Sequence, residues 1–168
     1  FVYIKMKKTK KKCSIKNNKA IAQLRGAKDN MIKGHITVTE LKTKMKIDID
    51  LFDLPEGERG FHIHEKGNLK EGCKSLCSHF NPLNKTHGGL NSKSSHAGDL
   101  GNININKDGT LKKIIYSKDL KLSGKFNIIG RSVVVHGDKD DLGKGGNDES
   151  LKTGNAGERI ACGIIGIY

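Results

Sequence analysis

The chain has 168 residues, enough for one domain with a buried core and too few for two of ordinary size. An apolar share of 35%, no Trp, 2 Pro and 21 Gly point to short strands and glycine-rich loops rather than helices. No apolar run reaches membrane-spanning length, and the formal charge of +13 comes without aromatic interleaving or a helix-turn-helix or zinc-finger pattern, so neither a membrane nor a nucleic acid is expected as partner.

Residues 1–18 read as a mobile basic arm, because Met6-Lys7-Lys8-Thr9-Lys10-Lys11-Lys12 offers too little apolar surface to offset ordering. Phe1-Val2-Tyr3-Ile4 is too short a run for a secretory leader. Residues 19–168 read as the folded domain. A period of two starts loosely around Ile21 and sharpens at Ile36 and Val38. It is clean over residues 45–52, where Met45, Ile47, Ile49 and Leu51 share a face. Asp53-Leu54-Pro55-Glu56-Gly57 is a turn, and residues 59–65 form a short strand. Residues 66–98 lack periodicity, and a loop of that length in a compact domain tends to be functional. Residues 100–105 and 110–117 are expected to form a hairpin about Lys107-Asp108-Gly109. An apolar strand over 128–136, a second long loop over 137–158 and a last strand over 160–168, broken at Gly163 and Gly166, complete the chain. The expected fold is all-β, an eight-stranded antiparallel barrel or sandwich with two long functional loops and no helix.

Of seven histidines, five lie between Phe61 and Asp99: His62, His64, His79, His87 and His96. A sixth, His136, ends the Val133-Val134-Val135 run. Each imidazole carries a donor and an acceptor that need partners once buried, so packing is a poor reason to gather six. His62 and His64, one residue apart on a strand, project from one face and supply half of a metal site. His79, His87, His96 and Asp99 offer three nitrogens and one carboxylate oxygen, the closed tetrahedral set of structural zinc, which would also keep an apolar-poor loop ordered. Four imidazoles with an open face suit copper. Gly143-x-Gly145-Gly146 lacks the strand-to-helix context of a phosphate cradle. Four cysteines permit three pairings or none.

The motifs Gly60-Phe61-His62-Ile63-His64-Glu65, His79-Phe80-Asn81-Pro82, His87-Gly88-Gly89 and His96-Ala97-Gly98-Asp99-Leu100-Gly101-Asn102 form one set. Asp141-Leu142-Gly143-Lys144-Gly145-Gly146-Asn147 and Gly154-Asn155-Ala156-Gly157, leading to Arg159 and Ala161-Cys162-Gly163, extend it. Together they resemble the copper/zinc superoxide dismutase family over residues 19–168. The resemblance implies a Greek-key β-barrel with one copper and one zinc ion per chain and no organic cofactor. It places copper on His62, His64, His79 and His136, and zinc on His79, His87, His96 and Asp99. His79 would bridge the two metals as imidazolate, and in the family mechanism it releases copper on reduction and takes up a proton.

By the same resemblance, Arg159 docks the superoxide anion beside copper. Lys144 and Lys152 draw it inward while Asp148 and Glu149 shape the field. Asp140 lies between His62 and His87, and Cys73 pairs with Cys162. The implied partners are superoxide, a second copy of the chain and a copper-delivery protein, and the implied compartment is the cytoplasm. The Lys, Asn and Ile bias suits a large DNA virus, in which case host cytoplasm or virion is expected. Three features depart from the family pattern. Cys77 is read as a bystander, Cys13 as a free thiol in the arm, and Lys66 as a charge where many dimeric members have an apolar contact. The competing reading is a catalytically silent relative used as a copper-binding, chaperone or interaction module, which retention of every ligand and of Arg159 argues against.

Overall fold

A computed structural model describes residues 18–168, so Cys13 and residues 1–17 of the expected arm lie outside the described residues. The strands are β1 (Lys19–Gly26), β2 (Ile32–Glu40), β3 (Met45–Leu51), β4 (Gly57–His64), β5 (Lys70–Cys73), β6 (Asp99–Ile105), β7 (Leu111–Ser117), β8 (Ser132–His136), β9 (Arg159–Ile164) and β10 (Gly166–Ile167). Eight of them run as one path, β6-β4-β8-β9-β1-β2-β3-β7, with β10 added to β1. Every pairing is antiparallel. β1, β2 and β3 follow one another as a meander, then the chain leaves for the other half and returns as β7 to pair with β3, a Greek-key route.

Alternation explains which residues face inward. β3 is buried at every second residue, as its sequence required. In β1 the inward positions are Ala20, Ala22 and Leu24, set opposite Val38, Ile36 and Gly34 of β2, which leaves Ile21 half-buried on the outer face. Ile36, Val38, Ile47, Phe61, Ile63, Ile103, Val133 and Val135 are fully buried in the barrel interior. Val134 points the other way and packs outside the barrel with Leu76, Cys73 and Cys162. The first long loop thus has a small core of its own against β8 and β9.

Three expectations change. The Lys107-Asp108-Gly109 turn exists, closed by Asn106 N–H to Thr110 O at 3.0 Å, but β6 and β7 do not pair across it. They run to opposite ends of the sheet path, and Leu54 donates its N–H to Gly109 O at 3.2 Å to hold the turn over the seam. The strand expected over 128–136 begins only at Ser132, because Gly130 at φ 79° turns the chain and Arg131 N–H closes onto Ile128 O. The loops are not bare: the first carries β5 and a 3-10 turn, Lys74–Leu76, and the second carries a one-turn helix α1, Ser150–Thr153.

Candidate metal centre

His62 and His64 leave the outer face of β4 while Phe61 and Ile63 fill the core. A bulge between Gly60 and His62 sets His62 opposite Asp99 at the start of β6. A second bulge after Val135 sets His136 opposite Arg159 of β9. The first long loop returns to the same face through a bridge between His64 and His79. Gly98 makes the return possible: a Cβ there would stand 2.3 Å from Ile63 O, so only glycine lets His96 and Asp99 reach the cluster.

Two donor sets result, both buried. His62, His64, His79 and His136 put one nitrogen each within 4.8 Å of the others, and His62, His79, His87 and Asp99 do likewise. His96 joins the second set through its Nδ1, 3.3 Å from Asp99 Oδ1; the Nδ1 atoms of His79 and His87 lie 3.0 and 3.1 Å from that same oxygen. Ligands about 2.0–2.1 Å from a tetrahedral zinc ion lie about 3.3 Å apart, so these separations are those of a closed tetrahedral cage. In the first set His64 Nε2 and His136 Nε2 approach to 3.2 Å. Four of the nitrogens facing the two centres are left without hydrogen-bond partners: His62 Nδ1, His79 Nε2, His87 Nδ1 and His96 Nδ1 are buried and unbonded. Protein interiors rarely leave such atoms orphaned, and two cations would satisfy all four.

The opposite nitrogen of most of these rings is fixed from behind. His64 Nδ1 donates to Cys77 O at 2.8 Å and His136 Nδ1 to Gly157 O at 3.2 Å. One carboxylate, Asp140, takes His62 Nε2 on one oxygen and His87 Nε2 on the other, each at 2.8 Å. Gly154, at φ 68°, is required beside it, since a Cβ would fall 1.9 Å from Asp140 Oδ1. Burial, with neighbouring histidines, lowers the pKa of His62 to about 3 and of His136 to about 4, and moves His64 and His79 the same way. These rings keep their lone pairs at neutral pH, as metal ligands must. His87 differs: burial opposes its charge, but its hydrogen bond to Asp140 and the Asp99 carboxylate beside it outweigh burial and raise the group to about 9. Burial also opposes ionisation of Asp99 and Asp140, yet their histidine partners hold both below the usual carboxylate range.

A sequence model of the family described as copper/zinc superoxide dismutase (SODC) matches residues 32–165. The chain belongs to this family. It is 49% identical over 170 residues to "Superoxide dismutase [Cu-Zn]" of Paramecium bursaria Chlorella virus 1, an alignment covering 99% of this chain and 89% of the viral protein. It is also 49% identical to the protein of that name from Candida glabrata, covering 89% of this chain and 97% of the relative. A crystal structure of the clock protein EA4 superposes with a TM-score of 0.85 at 44% identity, covering 90% of this chain and 96% of the other.

The remaining expected site residues sit on the second long loop and β9, and the structure sorts them. Arg159, His64, His79, His136 and Glu149 line one hollow of about 380 Å³, with Ser78, Thr153, Asn155 and Gly157 completing its wall. Lys152 is exposed on α1, next to Thr153 of that wall, and Asp148 is exposed just before α1. Lys144 lies elsewhere, lining a separate hollow of about 370 Å³ beside His87 and Leu142. Arg159 gives Nη1 to Cys73 O at 2.6 Å and Lys74 O at 3.0 Å, and Nη2 to Cys77 O at 2.5 Å. Cys73 and Cys162 form the disulfide, and Cys77 is a free, half-buried thiol. Sequence reasoning missed the carbonyls of Cys77 and Gly157, which orient His64, His136 and Arg159. Backbone groups carry no sequence signature, and the only trace is the positive φ of 61° at Cys77, a non-glycine residue.

Proposed function

We propose that this chain holds one copper and one zinc ion, and that it consumes superoxide at the copper. The chain is a superoxide dismutase, an oxidoreductase. Support for the metal assignment comes chiefly from His79, whose Nδ1 meets Asp99 in the three-histidine cage while its Nε2 is orphaned toward the four-histidine set. Copper would sit on His62 Nδ1, His64 Nε2, His79 Nε2 and His136 Nε2, and zinc on His79 Nδ1, His87 Nδ1, His96 Nδ1 and Asp99 Oδ1. Bound copper supplies a one-electron couple, so that one superoxide leaves as dioxygen and a second, with two protons, as hydrogen peroxide.

The protein's own groups do the rest. His79 serves two cations only without its ring proton; the residue lines the hollow, and its orphaned Nε2 is the atom placed to hold a proton for the product. Arg159 spends three of its five N–H groups on loop carbonyls, which fixes the guanidinium and leaves two for the anion. Asp140 fixes which nitrogen of His62 and His87 faces its metal. Ile164 and Ile167, 39% and 53% exposed, supply apolar surface for a homodimer. Among the described residues no helix is long and apolar enough to cross a membrane. We place the enzyme in the cytoplasm, with a copper-delivery protein as a further partner.

The direct test is metal content with superoxide consumption. One copper and one zinc per chain with rapid consumption is expected, and full copper without activity would overturn the reading. Arg159→Ala is expected to slow the second-order rate about 10- to 100-fold, the worth of a hydrogen bond to a charged group (~1.5–3 kcal/mol). Copper per chain should be unchanged; its loss would mean Arg159 supports the ligands rather than the anion. Asp140→Ala should weaken zinc binding about 10- to 100-fold in a chelator competition.

A further inference from the structure

The hollow at Arg159 is flanked by a second one of about 550 Å³, and Gly157 and Arg159 line both. Its charged lining is Lys28, Glu71, Lys74 and Glu158 in addition to Arg159. Lys28 and Glu158 cancel in an ion pair of 2.9 Å. Lys74 is exposed and, among the described residues, forms no ion pair, with Glu71 or any other group. Its carbonyl accepts Arg159 Nη1 at 3.0 Å, so the backbone that carries the lysine is tied to the guanidinium. The ammonium therefore stays on the order of 10 Å from Arg159, about one screening length at moderate salt. Lys144, on the zinc side, has no such tie.

We propose that Lys74 is a second steering cation for the anionic substrate, working from the disulfide side of the mouth while α1 forms the other side. The proposal rests on the superoxide reading above. Lys74 adds nothing to the metal sites. It raises the local positive potential on the rim that Arg159 shares, and so the rate of encounter rather than the chemistry after it.

The experiment measures the second-order rate of superoxide consumption per bound copper, from low to high salt, for the copper- and zinc-loaded parent, Lys74→Gln, Lys74→Glu and Lys112→Glu. Lys112 lies on β7 in the groove lined by His35 and Asp50, so its reversal makes the same change in net charge on another wall. At low salt about a twofold loss is expected for Lys74→Gln and about fourfold for Lys74→Glu, shrinking as salt rises, with a clearly smaller loss for Lys112→Glu. Unchanged rate and salt slope in both Lys74 variants would overturn the proposal. Equal losses in Lys74→Glu and Lys112→Glu would also overturn it, since net charge and not place would then be acting. An inactive parent would instead overturn the superoxide reading, and this proposal with it.

Discussion

His136→Ala is expected to abolish superoxide consumption while zinc stays bound. His136 belongs to the four-nitrogen set alone, and its Nε2 lies 3.2 Å from His64 Nε2. The contacts that Asp99 makes with His79, His87 and His96 do not involve it, so one zinc per chain should survive. Removing one of four nitrogens would leave three to hold copper, and no other group in the hollow can exchange electrons. The rate should fall on the order of a thousandfold or more, more than ~4 kcal/mol in barrier. Metal analysis beside the kinetic assay decides the matter. Loss of both metals would mean that the two sets stand or fall together, and retained activity would remove His136 from the copper site.

Cys73→Ser is expected to be the most destabilising single change outside the metal ligands. The disulfide closes a separation of 89 residues, for which chain entropy gives about 4–5 kcal/mol. Measured in denaturant on the metal-free protein, the loss should be close to this, and Cys162→Ser should match it. Activity per bound copper should fall as well, because the carbonyls of Cys73, Lys74 and Cys77 hold the Arg159 guanidinium. A variant that loses stability but keeps its full rate per copper would show that the loop holds Arg159 without the covalent tie.

Much of this was legible because two of its causes are local. Period-two patterning exposed β3 and the paired projection of His62 and His64, and the histidine and aspartate spacings suggested the set of His79, His87, His96 and Asp99; the addition of His79 and His136 to His62 and His64 came only from the family resemblance. What escaped was set by distant pairing. Lys107-Asp108-Gly109 has the chemistry of a hairpin turn, yet β4 and β3 claim β6 and β7 on separate sides of the seam. Ala20 and Ala22 are weak inward signals beside Ile21, and only the register with Ile36 and Val38 turns them in. Lys144 reads as one of a family of guiding charges, but the fold of the loop sets it beside His87, on the zinc side.

The Leu76–Val134 contact outside the barrel bears on how the enzyme responds to reduction. The interior of the barrel is complete without it, and the first long loop, a flap over β8 and β9, has as its apolar and covalent grip Leu76 on Val134 and the Cys73–Cys162 disulfide, beside the hydrogen bonds that Arg159 gives to its carbonyls. Reduction should therefore undock the flap from an intact barrel, loosening the anchor of Arg159 and the carbonyl behind His64 in one event.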